Sequence, residues 1–137
     1  MARICSFDVF DTCLVRKAAV PSGVFFDVAR RVILELGLST SRPLIEDFVA
    51  TRIQAAGIAR KRTNREEITL AEIWRLLLPA MGWRLDDSLI RCELEAERES
   101  LVPVSSIRRQ VQIERRRGHR IIFVSDMYLP RTFIEEQ

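Results

Sequence analysis

The chain is poor in the residues that mark several classes of protein. Its 137 residues include 3 cysteines, 5 glycines and 5 prolines, and Lys17 and Lys61 are its only lysines. Cys5, Cys13 and Cys92 are odd in number, widely spaced and without a CxxC pair, which argues against a disulfide framework and against a zinc site. A reducing compartment fits this pattern best, so we expect a cytoplasmic protein.

Long apolar runs and a strong charge of one sign are also missing. No run reaches the roughly 18 apolar residues of a membrane span, and polar and acidic residues occupy the N-terminal stretch where a signal peptide would be apolar. The net charge of +3 rests on 22 basic and 19 acidic residues, an excess too weak to indicate nucleic-acid binding. We therefore expect no membrane and no nucleic-acid partner. With 47% apolar residues, the chain can bury a core.

Two short, largely apolar segments, residues 3–8 and 120–125, predict β-strands. The first shows no polar alternation, which is typical of a strand covered on both faces. Asp8 and Ser125 stand where the two segments end. Because open parallel sheets carry their chemistry at the carboxyl ends of the strands, we predict adjacent parallel strands with these two side chains at the same end.

Between these strands, residues 21–101 show helical periodicity and predict a helical insertion without a strand longer than two or three residues. The first helix stops at Gly37. The second begins near Ser41 and ends before Gly57. The third begins with a Thr69–Glu72 capping box and ends at Pro79 and Gly82. The predicted buried face of the second helix comprises Ile45, Phe48, Val49, Ile53 and Ala56.

A fourth helix is predicted from Asp87 to about Leu101, half-buried along a thin stripe of Ile90, Leu94 and Leu101. A fifth opens at Pro103 and stops at Gly118. This last helix is the natural right-handed crossover between two parallel strands.

The segments at the two strand ends carry a family resemblance. Phe7-Asp8-Val9-Phe10-Asp11-Thr12 resembles the nucleophile loop of the haloacid dehalogenase (HAD) superfamily, and Phe123-Val124-Ser125-Asp126-Met127-Tyr128-Leu129 resembles its second motif. The resemblance implies an α/β fold, a HAD-like Rossmannoid core of parallel strands with a helical cap inserted after the first. Residues 1–20 would be core, 21–102 cap, and 103–137 core with the crossover helix and second strand.

The resemblance also implies a role for each matching residue. Asp8 would be the nucleophile, and Asp8 with the backbone carbonyl of Phe10 would bind Mg²⁺. Thr12 and Ser125 would bind the phosphoryl oxygens. Phe10 stands where most phosphatases of the superfamily carry a second aspartate that transfers protons, so Asp11 is either a displaced acid and base or a structural residue of a tight loop.

Other polar and aromatic residues carry weaker signals. Asp126 is a candidate N-cap for the helix that follows it. Arg16 is predicted to be a residue that faces water. His119 is predicted to be a surface turn residue. Trp74 and Trp83 are predicted to belong to the core of the cap.

Three functions are compatible with these residues. The first is a Mg²⁺-dependent phosphatase acting on a small phosphorylated metabolite, such as a sugar phosphate, through an aspartyl phosphate. The second is a dehalogenase-like hydrolase using Asp8 on carbon, and the third is a non-catalytic binding or assembly module. The superfamily's third and fourth motifs follow the second strand, whereas the chain stops at Gln137. We therefore expect the N-terminal half of a hydrolase, inactive alone and able to self-associate through an open sheet edge.

Overall fold

A computed structural model describes residues 3–63 and 67–137. The chain is mixed α/β, and its elements follow in order. They are β1 (Ile4–Asp8), β2 (Leu14–Arg16), a 3-10 helix (Pro21–Gly23), α1 (Val24–Glu35), α2 (Arg42–Arg62), α3 (Leu70–Ala80), a 3-10 helix (Asp87–Leu89), α4 (Ile90–Ser100), β3 (Leu101–Pro103), α5 (Ser105–Arg116), β4 (Arg120–Val124) and α6 (Arg131–Glu135).

The chain divides into two compact units. A strand unit comprises the N-terminal residues through Lys17 together with Leu101–Met127, and it holds all four strands named above and α5. A helical unit comprises Ala18–Ser100 and Tyr128–Gln137, and it holds the remaining helices. The last ten residues thus belong with the helical unit.

The strand unit contains the predicted parallel pair. β1 lies beside β4 in a register that runs from Ile4 opposite Arg120 to Asp8 opposite Val124. The Val9 N–H donates to the Val124 carbonyl at 3.0 Å and extends the pairing by one residue. The prediction of adjacent parallel strands with Asp8 and Ser125 at the same end is therefore confirmed.

A second sheet in this unit is absent from the sequence-based predictions. β2 and β3 pair antiparallel over three residues each, and the Val104 N–H donates to the Cys13 carbonyl at 2.8 Å. Segments of three residues carry too little periodicity to predict a strand. This pairing joins the chain that leaves β1 to the chain that enters α5.

The expectation that β1 is covered on both faces is wrong. Phe7 is buried, but Ile4 is 63% exposed, and Phe123 and Val124 of β4 are 49% and 55% exposed. α5 is the helix that this unit contributes to its parallel sheet. Because successive side chains of a strand point to opposite faces, one helix covers only one set of them.

The helical unit follows the predicted helices, with a difference in α2. Ser41 is the N-cap as expected, its Oγ accepting from the Leu44 N–H at 3.4 Å, but the helix continues through Gly57 to Arg62. A single glycine costs a helix only about 1 kcal/mol, and a 21-residue helix tolerates that cost. The predicted apolar face is partly wrong, since Ile53 is exposed and the buried residues are Phe48, Val49, Arg52, Ala55 and Ala59.

The third and fourth helices differ in how well their sequence predicts them. The Thr69–Glu72 capping box of α3 is confirmed, with both of its hydrogen bonds present. The predicted stripe of Ile90, Leu94 and Leu101 is half-buried, as expected, although Leu101 begins β3 rather than ending α4. The face that this helix buries comprises Cys92, Glu93, Ala96 and Glu97.

Between residues 21 and 101, the part of the chain that the structure describes contains no strand longer than three residues, as predicted, since β3 only begins at Leu101. The core of the helical unit is assembled mainly from α1, α2 and α3. Among the described residues, no helix combines the length and the apolar character that crossing a membrane requires. The completely buried apolar side chains of this unit include Val28, Val32, Ile33, Phe48, Ile73 and Leu77.

Candidate functional site at the carboxyl edge of the parallel sheet

The carboxyl edge of the β1–β4 sheet gathers three of the predicted site residues. Asp8 is the last residue of β1 and is exposed. The Thr12 hydroxyl donates to Asp8 Oδ2 at 3.4 Å. Ser125 directly follows Val124, the residue paired with Asp8. The sheet register therefore brings a carboxylate and two hydroxyls to one edge.

A tight loop returns the chain from β1 to β2. The Val9 carbonyl accepts from the N–H groups of both Cys13 and Leu14 at 2.8 Å, and the Asp11 N–H donates to the Leu14 carbonyl at 2.8 Å. Asp11 adopts φ = 60°, a left-handed conformation that aspartate tolerates better than most residues. Asp11 thus has a structural role in the loop, while its side chain is exposed.

Phe10 belongs to the core of the strand unit. Its side chain is 7% exposed, and the Arg16 guanidinium carbon lies 5.2 Å from its ring centroid. This is the range of a cation–π contact, so Arg16 does not simply face water. Phe10 therefore offers the edge its backbone carbonyl but no acidic side chain.

The remaining residues of the edge have modest electrostatic signatures. Burial raises the pKa of the Cys13 thiol, and the negative charge of Asp8 raises it further. Ser125 Oγ accepts from the Met127 N–H at 3.3 Å. The capping role considered for Asp126 is wrong, because the N-cap of α6 is Pro130 and no side chain caps that helix.

The donor set at this edge fits Mg²⁺ only in part. Asp8 supplies a carboxylate, and the Phe10 carbonyl takes no part in the three loop hydrogen bonds given above. Mg²⁺ is commonly bound by one or two carboxylates, with waters and substrate phosphate completing its octahedron. In residues 3–63 and 67–137, the one cluster of three or more potential ligand side chains lies elsewhere.

That cluster consists of Cys5, Glu114 and His119, and sequence reasoning missed it. Cys5 Sγ lies 3.7 Å from Glu114 Oε2 and 3.6 Å from His119 Nδ1, and Oε2 and Nδ1 are 2.5 Å apart. The hydrogen bond with His119 lowers the pKa of Glu114. Burial, and then Glu114, raises the pKa of Cys5. The available signal was that Cys5 and His119 both stand near the beginnings of two strands predicted to be neighbours.

A buried ion pair in the helical unit was also missed. Arg52 and Glu93 are both 0% exposed and form two hydrogen bonds, Nε–Oε2 at 3.0 Å and Nη2–Oε1 at 2.6 Å. Trp74 Nε1 donates to Glu93 Oε2 at 2.7 Å. Phe25 and Tyr128 rings flank the guanidinium at 4.6 and 4.9 Å. Trp74 is thus a core residue, as predicted, and it also donates a hydrogen bond to the buried carboxylate of Glu93.

Two surface pockets lie within the helical unit. One is lined by residues near the end of α2 and along α3, including Arg62 and Arg75. The other is lined by residues of α1 and the start of α2, including Arg30 and Arg42. Arginine side chains help to line both pockets. Neither pocket is lined by Asp8, Thr12 or Ser125.

No protein-family model matches the chain, and no curated protein matches it.

Proposed function

We propose that the chain carries the nucleophile side of a phosphoryl-transfer site, in a HAD-type phosphatase that acts on a small phosphorylated metabolite with Mg²⁺. The observation that supports this proposal most strongly is the β1–β4 register. In this register Asp8 is paired with Val124, so Asp8 and Ser125, the residue after Val124, stand at the same edge. This is the edge at which open parallel sheets bind ligands. The HAD-like core and helical cap are part of the proposal.

Asp8 is the nucleophile in this mechanism. Its carboxylate oxygen attacks phosphorus, the bond to the leaving oxygen breaks, and an acyl phosphate forms on Asp8. Water then attacks the acyl phosphate, which releases phosphate and regenerates the carboxylate. The exposure of Asp8 at the strand end leaves it open to a substrate.

Thr12 and Ser125 act as hydrogen-bond donors to the transferring group. The Thr12 hydroxyl already reaches Asp8 Oδ2, so a short rotation brings it to an oxygen bonded to the attacked phosphorus. Donors fixed in advance near developing charge stabilise a transition state by a few kcal/mol each. Their place on the loop and after β4 keeps both near the carboxylate.

Asp11 is the proton donor to the leaving oxygen and the base that later activates water. Phe10 has no proton to transfer and its ring is buried, whereas the Asp11 side chain is exposed one residue further on. Mg²⁺ would be held by Asp8 and the Phe10 carbonyl, where it would neutralise the repulsion between carboxylate and phosphate.

Two alternatives rest on particular residues. The buried Phe10 in place of an acid favours a dehalogenase-like hydrolase that uses Asp8 on carbon. The exposed apolar residues of β4, Ile122, Phe123 and Val124, favour a binding or assembly module that docks another chain.

The test is a phosphatase screen on the 137-residue chain and on the longest chain that its reading frame encodes. Phosphorylated metabolites and p-nitrophenyl phosphate are assayed with and without millimolar Mg²⁺, and 2-haloacids are assayed in parallel. Asp8→Asn is nearly isosteric but lacks a nucleophilic oxygen anion, so it should abolish turnover. Asp11→Asn is the matched variant, because asparagine also tolerates the left-handed conformation.

The expected result is Mg²⁺-dependent turnover by the longest chain and none by the 137-residue chain. Asp8→Asn should abolish this turnover, and Asp11→Asn should lower it by roughly 10²-fold or more, given the usual size of general acid–base catalysis. Turnover of a haloacid without Mg²⁺ would replace the phosphatase by the dehalogenase. Turnover that survives Asp8→Asn would remove Asp8 from the mechanism. No turnover of either substrate class by either chain would leave the binding module as the better explanation.

A further inference from the structure

We propose that Cys5, Glu114 and His119 form a binding site for a divalent transition metal of the Zn²⁺ class, at the end of the β1–β4 sheet opposite Asp8. The three residues come from different elements: Cys5 from β1, Glu114 from the last turns of α5, and His119 from the turn that enters β4. This inference stands on its own residues and does not depend on the proposed phosphatase.

Two of the three distances between the donor atoms match a tetrahedral site. With bonds of about 2.3 Å to sulfur and about 2.0–2.2 Å to nitrogen and oxygen, neighbouring donors of a tetrahedral Zn²⁺ lie about 3.4–3.6 Å apart. Cys5 Sγ already lies 3.6 Å from His119 Nδ1 and 3.7 Å from Glu114 Oε2. Only the 2.5 Å separation of Nδ1 and Oε2 must widen, as a metal ion replaces their shared hydrogen bond.

The backbone holds two of the donors together before any metal binds. The His119 N–H donates to the Glu114 carbonyl at 3.1 Å, and the Gly118 N–H donates to the Arg115 carbonyl at 3.0 Å. Gly118 has φ = 76°, so these bonds form the Schellman motif that ends α5. The motif folds His119 back beside Glu114, although five positions separate them in the chain.

Sheet pairing positions Cys5, and an ion pair with Arg117 positions the Glu114 carboxylate. Cys5 is paired with Ile121, and the Arg120 N–H donates to the Arg3 carbonyl at 2.9 Å, which fixes β1 next to the His119 turn. Arg117 Nη1 binds Glu114 Oε1 at 2.8 Å. The Glu114 carboxylate therefore has one oxygen held by an arginine and the other directed at Cys5 and His119, the kind of outer contact that orients metal ligands.

The donor chemistry selects the class of metal. Thiolate and imidazole suit Zn²⁺ and its neighbours in the first transition row, whereas Mg²⁺ requires oxygen ligands. A thiolate and a carboxylate neutralise a divalent charge, and the three side chains are all partly buried rather than exposed. Three protein ligands leave a fourth position for water or another ligand.

The sequence pattern argued against a zinc site because it lacks a CxxC pair. The folded chain supplies one cysteine and two other donors instead, and neither Cys13 nor Cys92 belongs to the cluster. These two cysteines are therefore natural controls.

The test uses Co²⁺ as a spectroscopic probe on the metal-free 137-residue chain, with Zn²⁺ as competitor. Titration should give one site per chain, with visible bands of tetrahedral Co²⁺ and a thiolate-to-cobalt charge-transfer band that Zn²⁺ abolishes. Cys5→Ser should remove the charge-transfer band, whereas Cys13→Ser and Cys92→Ser should keep it. Arg117→Ala, which loses only the outer contact, should weaken Co²⁺ binding by about 10–100-fold.

Thermal unfolding supplies the second measurement. Zn²⁺ should raise the unfolding midpoint of the natural chain, because a ligand that binds only the folded state stabilises it, and this shift should be lost in Cys5→Ser and His119→Gln. The inference is overturned if the charge-transfer band is absent, or if Cys5→Ser retains it. It is equally overturned if Cys92→Ser removes it, or if Zn²⁺ shifts the midpoint of Cys5→Ser as much as that of the natural chain.

Discussion

The helical unit buries an ion pair, whereas the strand unit keeps its candidate site carboxylates exposed. In the helical unit, Arg52 and Glu93 are completely buried, with hydrogen bonds to each other and to Trp74. In the strand unit, Asp8 and Asp11 are exposed at the end of a strand and in a tight loop. The fold pairs these two buried charges with each other, whereas an exposed carboxylate keeps room for a ligand.

Apolar residues show the same contrast. Leu77 of α3 is 0% exposed, while Phe123 of β4, which lies 6.3 Å from Phe7 between ring centroids, is 49% exposed. The interior of the helical unit therefore carries most of the burial that stabilises this chain. The strand unit is held together more by backbone pairing, and its sheet keeps apolar surface in contact with water.

Glu93→Leu is expected to have the largest effect on stability. It leaves the Arg52 guanidinium buried without its carboxylate and removes the acceptor of Trp74, so the free energy of unfolding should fall by about 3–5 kcal/mol. Urea unfolding followed by far-ultraviolet circular dichroism measures this loss.

The control for that variant is an exposed ion pair of the same type. Arg42 and Glu46 form an i,i+4 pair at 2.7 Å whose side chains are largely exposed, so Arg42→Met should change stability by less than about 0.5 kcal/mol. The double variant Arg52→Met/Glu93→Leu should be less destabilised than Glu93→Leu alone, because the Arg52 guanidinium is no longer left buried without the Glu93 carboxylate. Equal losses for Glu93→Leu and Arg42→Met would contradict the contrast between the two environments.

Leu77→Ala and Phe123→Ala test the same contrast with apolar residues. Truncating Leu77 opens a cavity in a packed interior and should cost about 2–5 kcal/mol. Truncating the half-exposed Phe123 should cost less than about 1.5 kcal/mol, since much of its ring remains in water in the folded chain. Chemical denaturation of both variants gives the two values, and a larger loss for Phe123→Ala would show that the sheet face is covered in solution.

Thr69→Ala tests a local signal within the helical unit. Thr69 Oγ1 accepts from the Glu72 N–H at 3.2 Å, and Glu72 Oε2 accepts from the Thr69 N–H at 2.7 Å. Loss of this N-cap should cost about 1 kcal/mol. Ser41→Ala is the matched comparison, because its single 3.4 Å bond to Leu44 should contribute less. A smaller loss for Thr69→Ala than for Ser41→Ala would contradict the importance of the reciprocal bonds.

Variants of Asp11 are expected to have the smallest effect on stability. They test whether the loop between β1 and β2 requires a left-handed backbone conformation at this position. At φ = 60°, alanine should be about 1 kcal/mol less stable than glycine, since an ordinary side chain crowds the left-handed conformation. Thermal unfolding of Asp11→Gly and Asp11→Ala compares them directly. If the two variants unfolded at the same temperature, the loop would not require this conformation.

Much of the secondary structure was predictable because its signals are local. The end of α5 at Gly118 and the start of α3 at Thr69 depend on residues within one helical turn. The parallel pairing of residues near Asp8 and Ser125 was predictable for a different reason, since a strand entered from a crossover helix pairs in parallel with the earlier strand in few ways. The fully buried face of α4 was missed, because Glu93 on that face resembles a solvent-facing charge until Arg52 is known to pair with it.

The sequence by itself determined where the two parallel strands and most helices begin, the capping of α3, and the carboxylate and hydroxyls at the carboxyl ends of those two strands. Only the tertiary structure decided which charges are buried and which donors meet. Arg52 and Glu93 are 41 positions apart, and Cys5 and Glu114 are 109 apart. Hydrogen-bond partners this distant leave no periodic pattern along the chain, because their proximity depends on packing between elements rather than on the geometry of any one of them.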